Sequence, residues 1–259
     1  MIISFTKYQG TGNDFIMIDD RSESFDETNV ALIEGMCSRR FGIGADGLIL
    51  LRNEKGYDFK MVYFNSDGRQ SSMCGNGGRC LVHFAHDLEV FQKKCKFLAI
   101  DGGHLGEVLD DGTIKLKMGS VEGISRDGDD FVLDTGSPHY VQSVENAFDI
   151  GVKEDGAAIR YSDKYKSNGI NVNFINMSND ILNVTTYERG VENETYSCGT
   201  GVTASALVAN KAFGSESPVS INTKGGSLKV HFQKSDRGYS DIWLEGPAVK
   251  TFDGDWFND

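Results

Sequence analysis

The sequence predicts an α+β chain of two similar halves, and three observations carry that reading. Short segments with period-two alternation outnumber helical ones along the whole length. Three segments read as helices, and one of them is small and apolar nearly all round, so it belongs inside something. A Cys-Gly-x-Gly turn heads a Gly/Ala-rich apolar segment in each half, Cys74-Gly75-Asn76-Gly77 in the first and Cys198-Gly199-Thr200-Gly201 in the second.

In the first half, strands are predicted over 2–8, 15–19, 48–52, 59–64, 96–100, 106–109 and 113–118. In the second they fall over 131–134, 140–144, 170–177, 181–187, 219–222, 228–232 and 242–245. Turn signals such as Asp110-Asp111-Gly112, Asp127-Gly128 and Asn179-Asp180 separate them. Helices are predicted over 29–39, 76–91 and 200–213. The second of these sets Leu81, Phe84, Ala85, Leu88 and Phe91 on one face. A strand pair and a polar loop precede each Cys-Gly-x-Gly turn, and Asn65 and Glu188 stand nine and ten residues before their cysteines. This weak duplication sets the expected domains at 1–118 and 119–259. The acidic, aromatic tail 252–259 either packs back on the first domain or frays, and the sequence does not decide which.

At 259 residues the chain has room for two ordinary domains. Hydrophobic residues make up 39%, enough for cores at this length. Glycine is 31 of 259 while proline is only 3; typical glycine usage is about 7%, so tight turns and close backbone approaches are expected. The net charge of −12 argues against a nucleic-acid partner, and solubility is the plain reading of the acidity. No apolar run approaches the roughly 20 residues that span a bilayer. The start Met1-Ile2-Ile3-Ser4-Phe5-Thr6-Lys7 alternates like a strand, without a basic leader segment. Five cysteines, irregularly spaced and without a CxxC, signal neither a zinc site nor a redox dithiol, and thiols in a cytoplasm fit best.

A cysteine at a helix start has its thiolate stabilised by the macrodipole and by backbone amides that lack intrahelical acceptors. One such cysteine before glycines is most simply a turn or core residue. Two in equivalent contexts are equipment for moving a proton from one face of a carbon to the other, one acting as thiolate and one as thiol. The reference thiol pKa of about 8.5 is within reach of working pH, where acid–base catalysis is most efficient. Helix-start amides would meet the charge that spreads into an adjacent carboxylate. Cys37, Cys80 and Cys95 lack this context and read as packing residues.

The segments Gly10-Thr11-Gly12-Asn13-Asp14-Phe15, Gly42-Ile43-Gly44-Ala45-Asp46-Gly47 and Met73-Cys74-Gly75-Asn76-Gly77-Gly78-Arg79-Cys80 resemble the diaminopimelate epimerase family. So do Asn65, Ser137-Pro138-His139, Asn171-Val172-Asn173-Phe174, Tyr187-Glu188-Arg189-Gly190 and Ser197-Cys198-Gly199-Thr200-Gly201, all in that family's order. The resemblance implies two similar domains, each a mostly antiparallel barrel-like sheet around a central helix, with the active site in the cleft between them. It implies an enzyme without cofactor, PLP or metal that interconverts LL- and meso-diaminopimelate on the route to lysine and peptidoglycan. Cys74 and Cys198 resemble its two bases, His139 the residue that tunes Cys74, and Glu188 the one that tunes Cys198. The amides of Gly75, Asn76, Gly199 and Thr200 would hold the reacting carboxylate, and Arg189 suits the far one through bidentate pairing. Asn13, Asn65 and Asn171, with Glu188, would complete the polar lining.

Two positions depart from the pattern: Gly47 stands where some members carry Gln, and Ser137 where many carry Asn. A homodimer is implied by resemblance only. The nearest alternatives are a proline racemase-like enzyme, which needs no grip on a second carboxylate, and a phenazine-biosynthesis-like one, which lacks the paired thiols. A non-catalytic zwitterion-binding protein would need the amides but not the thiols. A redox-sensing dithiol fits only as a side reaction of such a site.

Overall fold

The computed structural model describes residues 2–257. The chain divides into two compact units, one made of Met1–Leu116 with Pro247–Asp259 and the other of Lys117–Gly246. Unit 1 begins with β1 (Ile2–Gly10), β2 (Asn13–Asp19), α1 (Val30–Cys37), β3 (Gly47–Arg52) and β4 (Phe59–Asn65). It continues with α2 (Gly75–Asp87), β5 (Lys94–Ala99), β6 (Gly102–Val108) and β7 (Ile114–Lys117). β1 and β2 form a hairpin, β2 runs parallel to β3, β3 pairs antiparallel with β4, and β4 runs parallel to β5. β5, β6 and β7 then form an antiparallel meander.

Both faces of this sheet are covered, so its strands read as near-continuous apolar runs, Phe-Ile-Met-Ile in β2 and Leu-Ile-Leu-Leu in β3. On one face Ile16, Ile18, Leu48, Leu50, Val62 and Phe64 pack with Leu32, Ile33 and Met36 of α1. The alternate residues face α2, whose Gly77 comes close to Ile49 and Phe15. α2 touches β1, β2, β3 and β6, which places the Cys74 helix inside the curl of the sheet.

Unit 2 repeats the plan. Its elements are β8 (Ser125–Asp127), β9 (Asp130–Asp134), β10 (Pro138–Ser143), α3 (Val152–Arg160), β11 (Asn171–Ser178), β12 (Ile181–Glu188) and β13 (Asn193–Thr195). α4 (Gly199–Phe213), β14 (Val219–Thr223), β15 (Gly226–Ser235) and β16 (Gly238–Gly246) follow. β10 lies parallel to β11, β11 antiparallel to β12, and β12 parallel to β14, which opens the meander β14–β15–β16. These are the pairings of β2, β3, β4 and β5 in the same order, with α3 in the place of α1 and α4 in the place of α2. α4 touches strands from β9 to β16 and is buried from Gly201 to Ala209, as its composition requires.

The last strand, β17 (Val249–Phe257), returns to unit 1 and pairs antiparallel with β1. Sheets are therefore mixed, mostly antiparallel with a parallel step before and after each central hairpin. Beyond the predicted helices the structure adds α3. Its Gly156 lies where a Cβ would sit 2.4 Å from that of Tyr187, so a small residue lets this weakly apolar helix press onto the sheet. The predicted helix 76–91 ends instead at Asp87. Glu89 just beyond has φ +57°, and Phe91 stacks on Phe59 from outside the helix.

Candidate active site

Cys74 is the N-cap of α2 and Cys198 the N-cap of α4, both in extended backbone conformation. The first intrahelical bonds are Gly78 N–H to Cys74 O and Val202 N–H to Cys198 O. The amides of Gly75 and Asn76, and those of Gly199 and Thr200, thus fall in the first turn, where the helix itself supplies no acceptor. Steric room explains Gly201, where a Cβ would lie 2.4 Å from Asn173 Oδ1.

In unit 1 three predicted residues meet. Cys74 Sγ lies 3.6 Å from Asn13 Oδ1, and Asn76 Nδ2 donates to the same oxygen at 3.4 Å. The orientation of Asn13 is fixed from behind, because its Nδ2 donates to the Asp46 carboxylate, which has only acceptors to offer. Arg39 bridges Asp46 and Asp14, and Lys7 adds a second cation on Asp14. Burial alone would raise the Asp14 carboxyl, but Arg39 and Lys7 outweigh it and hold it at about 2. Asn65 ends β4 opposite Gly47. A Cβ at Gly47 would lie 2.6 Å from the Tyr63 ring and 2.5 Å from the Phe64 carbonyl, so Tyr63 occupies the space a side chain there would need.

In unit 2, His139, Asn171 and Glu188 lie on neighbouring strands at the end from which α4 starts. His139 pairs with Asn171 in the β10–β11 register, and Glu188 follows the Val172–Tyr187 pair. Cys198 Sγ is 3.4 Å from Thr200 Oγ1, and Thr135 Oγ1 donates to the Thr200 carbonyl at 2.9 Å. Ser137, the second departure from the family pattern, accepts from Asn171 Nδ2 at 2.9 Å and from Arg189 Nη2 at 3.4 Å. Asn171 Oδ1 in turn accepts the Arg189 backbone N–H at 2.9 Å.

His139 is fully buried, and its protonation follows from its neighbours. Asn173 Nδ2 donates to the Tyr140 carbonyl at 3.0 Å, and Thr186 Oγ1 donates to Asn173 Oδ1 at 2.9 Å, so the amide can face only one way. Its Nδ2 is also 3.0 Å from His139 Nδ1. Nδ1 is therefore the acceptor, and the proton of the neutral ring sits on Nε2. Among the described residues that Nε2 has no partner. Burial, and after it the charge of Arg189, push the His139 pKa down to about 3 against the opposing bond from Asn173.

A stability consequence follows. Above the ordinary value of 6.5 the ring is neutral in both folded and unfolded chains. As pH falls from 6.5 toward 3, the unfolded chain takes up a proton that the folded one refuses, so stability is lost by up to about 1.4 kcal/mol per unit. His139→Gln is expected to flatten the fall of the urea midpoint between pH 6 and 4. An unchanged slope would mean that the folded protein protonates this ring.

The other thiols behave as packing groups: Cys37, Cys80 and Cys95 are buried, and burial pushes each up to about 12. Sequence reasoning singled out the residues that end the strands and head the helices. It quoted Thr11, Asp46, Arg79 and Asn173 within motifs but gave them no role, and it left Thr186 out, because the bonds by which they hold the site residues form across the fold and leave no periodic signal.

Two units, each a sheet around a central helix, define a fold class seen in solved structures. The chain is similar over its full length to a Bacillus anthracis phenazine biosynthesis protein of the PhzF family, with TM-score 0.76, 12% identity and both chains fully covered. It is similar to a hydroxyproline epimerase from Agrobacterium vitis with TM-score 0.67 and 12% identity over 98% of this chain and 92% of that one. These likenesses concern the fold. The chain belongs to the diaminopimelate epimerase family, whose model matches residues 5–124 and 131–251. It is 51% identical to the diaminopimelate epimerase of Flavobacterium psychrophilum over 95% of this chain and 97% of that protein. To that of Aquifex aeolicus it is 37% identical, over 97% of each.

Proposed function

We propose that the chain is a cofactor-independent isomerase that interconverts LL- and meso-2,6-diaminopimelate by two-base proton transfer, on the route to lysine and peptidoglycan precursors. The observation that carries this reading is the duplicated placement of Cys74 and Cys198, each the N-cap of a buried helix beside polar strand ends. One thiolate takes the α-proton while the other thiol delivers a proton to the opposite face, and the roles exchange in the reverse direction. Charge developing on the α-carboxylate is met by the first-turn amides of Gly75, Asn76, Gly199 and Thr200. Arg189 takes the distal carboxylate, with Asn13, Asn65, Asn171 and Glu188 around the amines and the far end. Following the resemblance, Glu188 tunes Cys198 and His139 tunes Cys74; the His139 ring is neutral, with its proton on Nε2.

A proline racemase-like reading is weaker because such substrates lack the second carboxylate that Arg189 suits. The expected repeats, 1–118 and 119–259, each supply one base. A homodimer in the cytoplasm is the proposed setting. It is supported by the thiol state of all five cysteines and by the exposed Phe252 and Phe257 on β17. No described helix is long and apolar enough to cross a membrane.

The direct test is deuterium incorporation at the α-carbon of LL-diaminopimelate in D2O, under reducing conditions without added PLP or metal. Incorporation accompanied by the meso isomer supports the proposal. Exchange with proline but not with diaminopimelate would replace the substrate and keep the mechanism. No exchange with either would leave a zwitterion-binding protein in its place.

A further inference from the structure

Arg79 is a buried cation that the proposed reaction leaves unused. It sits five residues after Cys74 on α2 and has no exposed surface. Among the described residues its hydrogen bonds go only to neutral acceptors. Nη2 donates to Thr11 Oγ1 and to Asn76 Oδ1, both at 3.1 Å, Nη1 to the Gly75 carbonyl at 3.4 Å, and Nε to the Pro247 carbonyl at 3.4 Å. A guanidinium held in the interior without a counter-charge is costly, because its hydration has been given up and no opposite charge replaces it.

The charged partner it could acquire is close by. Asn76, which accepts from Arg79, donates to Asn13 Oδ1, and that oxygen lies 3.6 Å from Cys74 Sγ. The titratable groups whose charge bears on Arg79 are the Cys80 and Cys74 thiols. Cys80 is fully buried on the same helix and stays protonated. Farther out, behind Asn13, Asp46 and Asp14 are already paired with Arg39 and Lys7. Asn13 Oδ1 accepts from the S–H of Cys74 and so favours the thiol. The guanidinium stands on the other side of that balance.

Unit 2 provides the comparison. Five residues after Cys198 stands Thr203, also fully buried, whose Oγ1 donates to the Gly199 carbonyl at 2.9 Å. Arg79 Nη1 makes the corresponding bond to the carbonyl of Gly75. The two helix starts thus carry different buried side chains at the equivalent position, a guanidinium after Cys74 and a hydroxyl after Cys198.

We infer that Arg79 is a positioning residue whose buried charge stabilises the Cys74 thiolate, so that Cys74 ionises more readily than Cys198. On ionisation the S–H proton passes to solvent water and the thiolate becomes the counter-ion that Arg79 lacks. This rests on the reading of Cys74 as a base, and it makes the two bases unequal in the enzyme without substrate.

The test is the pH dependence of alkylation by iodoacetamide, read at each cysteine by peptide mass spectrometry on the full chain. In the unsubstituted protein the Cys74 midpoint is expected about one unit or more below that of Cys198. Arg79→Met and Arg79→Gln are each expected to raise the Cys74 midpoint by about one to two units and leave that of Cys198 in place. Arg79→Lys should keep most of the lowering. A folded neutral variant, with native circular dichroism and an unchanged Cys198 profile, whose Cys74 midpoint moves by less than about 0.3 unit overturns the inference. If the neutral variants do not fold, the unsubstituted protein decides: a Cys74 midpoint at or above that of Cys198 also overturns it. Failure of the underlying reading looks different, since Cys74→Ala would then retain α-proton exchange whatever the midpoints are.

Discussion

Cys74→Ala and Cys198→Ala are each expected to lower epimerisation of diaminopimelate by about 10²- to 10⁴-fold, the usual worth of a positioned acid or base. Neither change should unfold the protein. Each cysteine is an N-cap whose side chain makes no capping bond, so the helix start does not depend on its sulfur. Cys37→Ala, Cys80→Ala and Cys95→Ala form the control set. Those thiols are buried and held protonated, and removing them should cost packing stability while leaving the chemistry largely in place. The measurement is the rate of meso isomer formation, with circular dichroism to verify the fold. Substantial turnover without either helix-cap thiol would falsify the two-base account. Retained ligand binding with no exchange in the unsubstituted protein would favour a binding protein instead.

The second large effect is expected at Arg189. Its backbone N–H bonds Asn171 Oδ1 at 2.9 Å, its Nη1 donates to the Asn168 carbonyl at 3.0 Å, and its Nη2 reaches Ser137 Oγ at 3.4 Å. The side chain is therefore set in place by neutral acceptors, and under the proposal its charge is left for the distal carboxylate. Arg189→Met leaves the backbone bond to Asn171 intact and removes the cation. Loss of a charge-assisted bond costs about 1.5–3 kcal/mol, roughly 10- to 150-fold in KM for diaminopimelate. Part of the loss should appear in kcat, because binding far from the reacting carbon helps to orient it. Arg189→Lys should recover only part, since a point charge cannot pair in bidentate fashion. Steady-state kinetics in both directions checks this, and an unchanged KM would remove Arg189 from the substrate contacts.

Much of this arrangement is visible in the chain itself, and the reasons are physical. Alternating apolar residues announce strands wherever one face is buried, and both helices headed by cysteine declare themselves through small and apolar residues. β8 and β13 escape because three residues carry no period. β17 escapes because its side chains are mostly exposed, so its place comes from backbone pairing with β1 and not from an apolar stripe. α3 buries only Val152 and Gly156, too little for a helical signal. The parallel steps β2–β3 and β10–β11 depend on contacts across an intervening helix, which local pattern does not encode. At the site the asparagines and thiols stand in motifs. The tautomer of His139 does not, since it depends on where Asn173, Tyr140 and Thr186 meet.

The return of β17 to unit 1 bears on how the protein is made. Pro247–Asp259 belongs with Met1–Leu116, yet all of Lys117–Gly246 lies between them in the chain. The Pro247 carbonyl accepts from Arg79 and the Ala248 carbonyl bonds His83, so α2 gains two of its anchors from a segment translated after all of unit 2. A ribosome adding about 5–20 residues per second delivers every residue of unit 2 before unit 1 receives its final strand. The half that starts first on the ribosome is finished second, and the Cys74 helix waits, incompletely braced, through the synthesis of its own structural twin.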